Sequence, residues 1–170
     1  DGDITVENIE FRGARVPAGN GAGIRFEAGT LTLDRCRFFD NEMGLLSAGR
    51  PDMQLVVRHC TFGDAPRHDS GLLHHLLYVG AIGSCVVMHS RFFNGFRGHL
   101  LKSRAAVNRV LWNELVDGPD GEASYELEFP NGGDNLVQGN RIEQSARTQN
   151  PAMLSMGAEA GGRTGGRLVL

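Results

Sequence analysis

Several classes of protein are excluded by what this 170-residue chain has little of. Three cysteines leave at least one thiol over, so no disulfide framework holds it together. Six prolines, with no Gly-X-Y period, exclude a collagen-like rod. No apolar run approaches the ~20 residues that cross a bilayer as a helix. The net charge of -3, from 17 Lys+Arg against 20 Asp+Glu, offers no broad attraction for nucleic acid, and aromatic and basic residues do not interleave into a base-stacking platform. There is no phosphate loop with Lys-Ser/Thr and no nucleophile elbow. Gly19-Asn20-Gly21-Ala22-Gly23 precedes a strand pattern, which excludes a dinucleotide fingerprint. What the chain has in excess is glycine: 24 residues, about twice the usual share. With 41% hydrophobic residues it is too apolar for disorder. The composition predicts one soluble, β-dominated domain over residues 1–170.

The ends read as cut. Asp1-Gly2-Asp3-Ile4-Thr5-Val6 is a turn feeding a strand, without the basic, apolar and small-residue succession of a signal peptide. Arg167-Leu168-Val169-Leu170 reads as a strand that begins where the sequence stops. The expectation is a piece of a longer protein, for which the missing signal peptide says little about compartment.

Between the ends, one pattern recurs six times: an aliphatic residue, a small or amide residue three later, and a large apolar residue five later. The copies are Val6/Ile9/Phe11, Leu33/Cys36/Phe38, Val57/Cys60/Phe62, Val87/Ser90/Phe92, Val110/Asn113/Leu115 and Val137/Asn140/Ile142. A spacing of roughly 23–30 residues suits one turn of a β-solenoid, in which each circuit adds a strand to two or three parallel sheets. Equivalent residues then stack at about 4.8 Å. Asn113 and Asn140 can pass amide hydrogen bonds along such a ladder, while Cys36 and Cys60 fill it as small buried hydrophobes. Longer excursions are expected around 63–73 and 116–123, and Gly19-Asn20-Gly21, Gly132-Gly133 and Gly161-Gly162 fall between strands.

A second pattern lies between the copies. Because alternate residues of a strand share a face, Ile24, Leu45, Leu77, Leu101, Leu127 and Leu154 are expected to point inward, with Phe26, Ser47, Val79, Ser103, Phe129 and Met156 following them. Arg25, Leu46, Tyr78, Lys102, Glu128 and Ser155 then form an outward column. The Leu45/Leu46 pair fits either way.

On these residues the chain resembles the right-handed parallel β-helix proteins of the pectate-lyase-like superfamily along nearly its full length. Ile4-Thr5-Val6-Glu7-Asn8-Ile9-Glu10-Phe11, its relative Leu31–Phe38 and the Asn-ended strands near 113 and 140 carry the likeness. Gly98–Ala105 and Glu128–Asp134 are similar to segments of bacterial β-helix proteins of unassigned activity. The resemblance implies an all-β, right-handed, single-stranded solenoid of about six circuits. That superfamily includes polysaccharide lyases, hydrolases, esterases and non-catalytic adhesins, so the fold alone names no reaction.

The cluster expected to carry chemistry is His75, Tyr78, His99, Lys102, Arg104 and Glu128, with Arg25 further along the column. Guanidinium binds carboxylate bidentately, and a lysine beside another cation can serve as a base. What the resemblance implies is β-elimination on an acidic polysaccharide. Lys102 would be the base at C5, Arg104 would neutralise the uronate carboxylate, and Tyr78 or His99 would protonate the leaving oxygen; His75, Glu128 and Arg25 would bind substrate. Ca²⁺ is a possible cofactor by the same resemblance, and the location it implies is secreted or periplasmic. The competing reading is a solvated salt-bridge stack on a structural, adhesive or glycan-binding solenoid. His74-His75 with His99, or His68-Asp69 with His74, are alternative metal ligands, although stacked imidazoles would serve equally well. No Asp pair of a hydrolase stands in the strands; Glu126 and Glu128 are the one carboxylate pair that could. Asp117–Glu122 lacks the spacing of a calcium loop and reads as a turn.

Overall fold

In a computed structural model that describes residues 2–159 and 166–170, the chain winds as a parallel β-solenoid. The first circuit is β1 (Asp3–Glu7), β2 (Glu10–Arg12) and β3 (Ala22–Phe26); the second is β4 (Thr30–Asp34), β5 (Arg37–Phe39) and β6 (Met43–Ser47). The third is β7 (Gln54–Arg58), β8 (Thr61–Gly63) and β9 (Leu77–Val79), and the fourth β10 (Ser84–Met88), β11 (Arg91–Phe93) and β12 (Leu101–Ser103). Then come β13 (Val107–Leu111), β14 (Glu114–Val116) and β15 (Leu127–Phe129), and β16 (Asp134–Gln138), β17 (Arg141–Glu143) and β18 (Leu154–Met156); β19 (Arg167–Val169) adds one more strand. The first strands of the circuits form sheet A, the second sheet B and the third sheet C. About six circuits are complete, as the repeat predicts. No helix among the described residues is long and apolar enough to cross a membrane. The Gly161-Gly162 pair lies outside the described residues.

The recurring residues stand in register. Val6, Leu33, Val57, Val87, Val110 and Val137 are successive partners across sheet A. Phe11, Phe38, Phe62, Phe92, Leu115 and Ile142 are partners across sheet B. The four phenylalanine rings stack at 5.0, 4.5 and 4.9 Å. Leu45, entirely buried, pairs with Ile24 and Leu77, which settles the ambiguous register.

The three-residue offset of the repeat comes from a left-handed corner between sheets A and B. Asn8, Arg35, His59, His89 and Trp112 all have φ between 49° and 56° there. Such a conformation costs an L-residue on the order of 1–2 kcal/mol, and the ladder beside it supplies the compensation. The backbone N–H of Cys36 donates to Cys60 Sγ (3.4 Å), that of Cys60 to Ser90 Oγ (3.1 Å), that of Ser90 to Asn113 Oδ1 (2.9 Å) and that of Asn113 to Asn140 Oδ1 (2.8 Å). Each circuit thus satisfies a buried donor of the one before it. The two cysteines are members of this ladder as well as core fillers.

Long connections fall where the strand patterns lapse, between β8 and β9 and between β14 and β15; a link as long as the latter, which the patterns do not single out, joins β17 to β18. Between β14 and β15, Asp117 is wholly buried and accepts from Gly95 N (2.7 Å) and Ala123 N (2.8 Å), closing the turn.

Candidate functional site

Sheet C positions the candidate residues. Its hydrogen-bonded register places Arg25, Leu46, Tyr78, Lys102, Glu128 and Ser155 on consecutive strands in one column. Two kinds of surface follow one another along it. Over the early circuits lies an open groove of about 540 Å³, lined by Arg25, Leu46, His75, Tyr78 and Arg104 among others. Over the later circuits the same column is closed. Lys102 is 7% and Glu128 3% exposed, so the expected solvated ladder is instead a buried ion cluster at these two positions.

The cluster is built around two carboxylates. Glu128 Oε2 lies 2.8 Å from His99 Nε2 and 3.0 Å from Lys102 Nζ. Glu159, from the segment after β18, places Oε1 2.7 Å from Lys102 Nζ and Oε2 2.5 Å from Arg104 Nη2. Arg104 also donates through Nε to Tyr78 Oη (2.9 Å) and through Nη1 to Asn131 Oδ1 (2.5 Å). Arg104 therefore belongs to both surfaces and joins the groove to the cluster. Burial tends to raise the pKa of Glu128, but His99 and Lys102 outweigh it and hold the carboxyl below its ordinary range. The Lys102 hydrogen bond, with that of Arg104, keeps Glu159 low as well, against the opposing effect of burial.

His75 and His99 depart from the inward parity that strict alternation gives them. Leu76 and Leu77 both enter the core, as do Leu100 and Leu101. Two successive inward residues mean that the chain rounds a corner before each strand, and the histidines turn to the Tyr78 side. The rings of His75 and Tyr78 are 5.3 Å apart, and those of His75 and His99 4.7 Å. His75 Nδ1 accepts the backbone N–H of His99 (2.9 Å), which leaves its proton on Nε2. Burial drives the His75 pKa well down, and His99, Lys102 and Arg104 push it further. His75 is accordingly a neutral imidazole whose remaining ring group is a donor.

The other candidates do not converge. His74 packs against His68 with ring centroids 3.8 Å apart, away from the His75–His99 pair. Among the described residues no three His, Cys, Asp or Glu side chains are placed to hold one metal ion. Glu126 and Glu128 do not form a carboxylate pair. Glu126 stands at the rung of Leu76 and Leu100, entirely buried, with both oxygens unpartnered, and burial raises its pKa to about 8. Two members of the cluster escape sequence reasoning. Asn131 sits in a turn whose following glycines have φ of 72° and 102°, and Glu159 lies beyond the last sheet C strand. Asn131 falls inside the quoted 128–134 segment, whereas no periodic signal marks Glu159. No family model, curated protein or solved structure matches the chain.

Proposed function

We propose that the outer face of sheet C holds an acidic, uronate-containing polysaccharide and cleaves it by β-elimination. The observation that carries this reading is a carboxylate already seated across Lys102 Nζ and Arg104 Nη2, at the end of an open groove lined by Arg25, His75 and Tyr78. A sugar carboxylate on the same two donors has its C5 one bond away, which brings the C5–H beside Lys102. Arg104 neutralises the carboxylate and acidifies that C–H. Lys102, in its neutral form, takes the C5 proton; the C4–O4 bond breaks as the C4=C5 bond forms; O4 leaves with the proton of Tyr78. His75 contributes a fixed donor to the groove, and Glu128 with His99 holds Lys102 in place. A secreted or periplasmic home follows from this reading of the substrate.

A second reading, glycan binding without turnover, is favoured by the double ion pairing of Lys102 with Glu128 and Glu159. An amine acting as a base has to be free to take up a proton, whereas this Nζ is engaged by two carboxylates. Ultraviolet absorbance of unsaturated uronate ends, measured on alginate, pectate and glycosaminoglycans, separates the two. The lyase reading expects the signal from one polymer and its loss in Lys102→Ala with the far-ultraviolet spectrum unchanged. Retention of the polymer with no new absorbance supports binding alone, and neither retention nor absorbance overturns both.

A further inference from the structure

We propose that Glu159 is a built-in competitor: its carboxylate occupies a carboxylate-binding subsite formed by Lys102 and Arg104, whose guanidinium is oriented by Asn131, and an acidic ligand binds by displacing it. The inference rests on the uronate reading for the sugar, but the subsite itself is a matter of carboxylate chemistry alone.

Three observations carry it. First, the contact skips a circuit. Lys102 is on β12 and Glu159 follows β18, two circuits later, so the ion pair bridges the rung of Glu128. Second, the burial is one-sided. The Lys102 and Arg104 side chains are 8% and 20% exposed, whereas Glu159 is 41% exposed. The cations form the floor and the carboxylate is the outermost member, so it is the group that can leave without uncovering the core. Third, the backbone that carries it is tied down independently. Gly157 N donates to Phe129 O (2.9 Å) and Glu159 N to Pro130 O (3.3 Å). Departure of the carboxylate therefore needs only side-chain rotation. Glu128 plays the opposite part: it is buried beneath Lys102, held by His99 and Lys102, and stays when Glu159 goes.

The two donors offered to the incoming ligand are a point charge and a guanidinium edge, with Tyr78 Oη on the other side of Arg104. This fits one carboxylate attached to a hydroxyl-bearing ring better than a phosphate, which would bring a second negative charge towards Glu128.

The experiment compares the wild-type chain with Glu159→Gln, which keeps the shape and removes the charge, and with Glu143→Gln on sheet B as a control. The Nε–H resonance of Arg104 is followed by NMR while glucuronate, and separately acetate, is added. The expected result is saturable perturbation in Glu159→Gln at roughly ten-fold lower glucuronate than in the wild type, the size of one charge-assisted contact of about 1.4 kcal/mol. Acetate should reproduce the direction of the shift, and Glu143→Gln should behave as the wild type. Equal or weaker binding by Glu159→Gln overturns the proposal. If Glu159→Gln is unfolded by far-ultraviolet dichroism, Glu159→Asp, whose shorter arm loosens the grip, takes its place with the same expectation. Tighter binding of glucuronate without cleavage of any polymer leaves the competitor standing and removes only the lyase reading.

Discussion

His99 Nε2 lies 2.8 Å from Glu128 Oε2, and the two side chains are only 6% and 5% exposed. Sequence places them 29 residues apart, and the solenoid makes them neighbours on successive rungs. Lys102 Nζ is 3.0 Å from the same oxygen. Removing one member of a buried ionic group leaves the others uncompensated, which costs about 3–5 kcal/mol. Glu128→Gln is therefore expected to lower the unfolding free energy measured in urea by that order, far more than loss of an exposed pair such as Arg141–Glu143. Because the carboxyl is held below its ordinary 4.5, the stability it supplies is present above that value. It is lost as pH falls through the folded value, so the gap between wild type and variant should narrow in acid. A variant as stable as the wild type at pH 7 would show that the cluster does not hold sheet C together.

Glu126 titrates in the opposite sense. Burial raises its pKa from 4.5 to about 8, and Asp117 adds to the rise. The folded state thus binds a proton that the unfolded state has released between about 4.5 and 8. Stability from this group is full below that window and falls as pH rises through it, with a slope approaching about 1.4 kcal/mol per pH unit. Glu126→Leu restores the residue type of Leu76 and Leu100 at the same rung. The difference in unfolding free energy between this variant and the wild type should grow steadily from pH 5 to pH 8. A difference independent of pH would place a proton partner on Glu126 that its two unpartnered oxygens do not show.

The columns of the solenoid were legible because stacking demands the same residue type at the same phase: the Phe11–Phe38–Phe62–Phe92 series is one stack read four times. The adjacency of Tyr78, Lys102 and Glu128 was legible for the same reason. Their burial was not, since a strand pattern tells which face a side chain takes but not what lies over that face. Strict alternation does not place His75 and His99, because Leu76-Leu77 and Leu100-Leu101 break it just before the strands begin. Glu159 was invisible because it reaches its partners across two circuits, without a periodic position to announce it.

The ladder at the left-handed corner gives a third test. The side chain of Asn113 accepts from Ser90 N (2.9 Å) and donates to Val87 O and Asn140 Oδ1, both at 2.9 Å. Alanine there leaves a buried N–H and a carbonyl unpaired while vacating space at a position only 2% exposed. Each unsatisfied group costs on the order of 1–3 kcal/mol, so Asn113→Ala should destabilise by about 2–4 kcal/mol in denaturant titrations. Asn113→Ser should recover part of this, since Ser90 fills the equivalent place one circuit earlier. Equal losses for alanine and serine would mean that volume, not hydrogen bonding, sets the cost.

The three cysteines supply the last test, because their environment predicts chemical silence. Cys36, Cys60 and Cys85 are free and buried. Burial pushes the thiols of Cys60 and Cys85 to about 12, so at pH 8 neither presents the thiolate that attacks a disulfide reagent. Cys60 is further engaged as a ladder member, its Sγ donating to Arg58 O at 3.3 Å. Ellman's reagent should therefore find no fast thiol in the native protein and three in urea, and slow native labelling should follow the rate of opening. Since Ser90 makes the same contacts one circuit later, donating to Met88 O at 2.9 Å and accepting from Cys60 N at 3.1 Å, Cys60→Ser should fold and remove one thiol from the unfolded count. Cys85→Ser should cost more, because Cys85 stands in register with Leu55 in the core of sheet A. A thiol that reacts at once in the native state would contradict the packing of whichever column it belongs to.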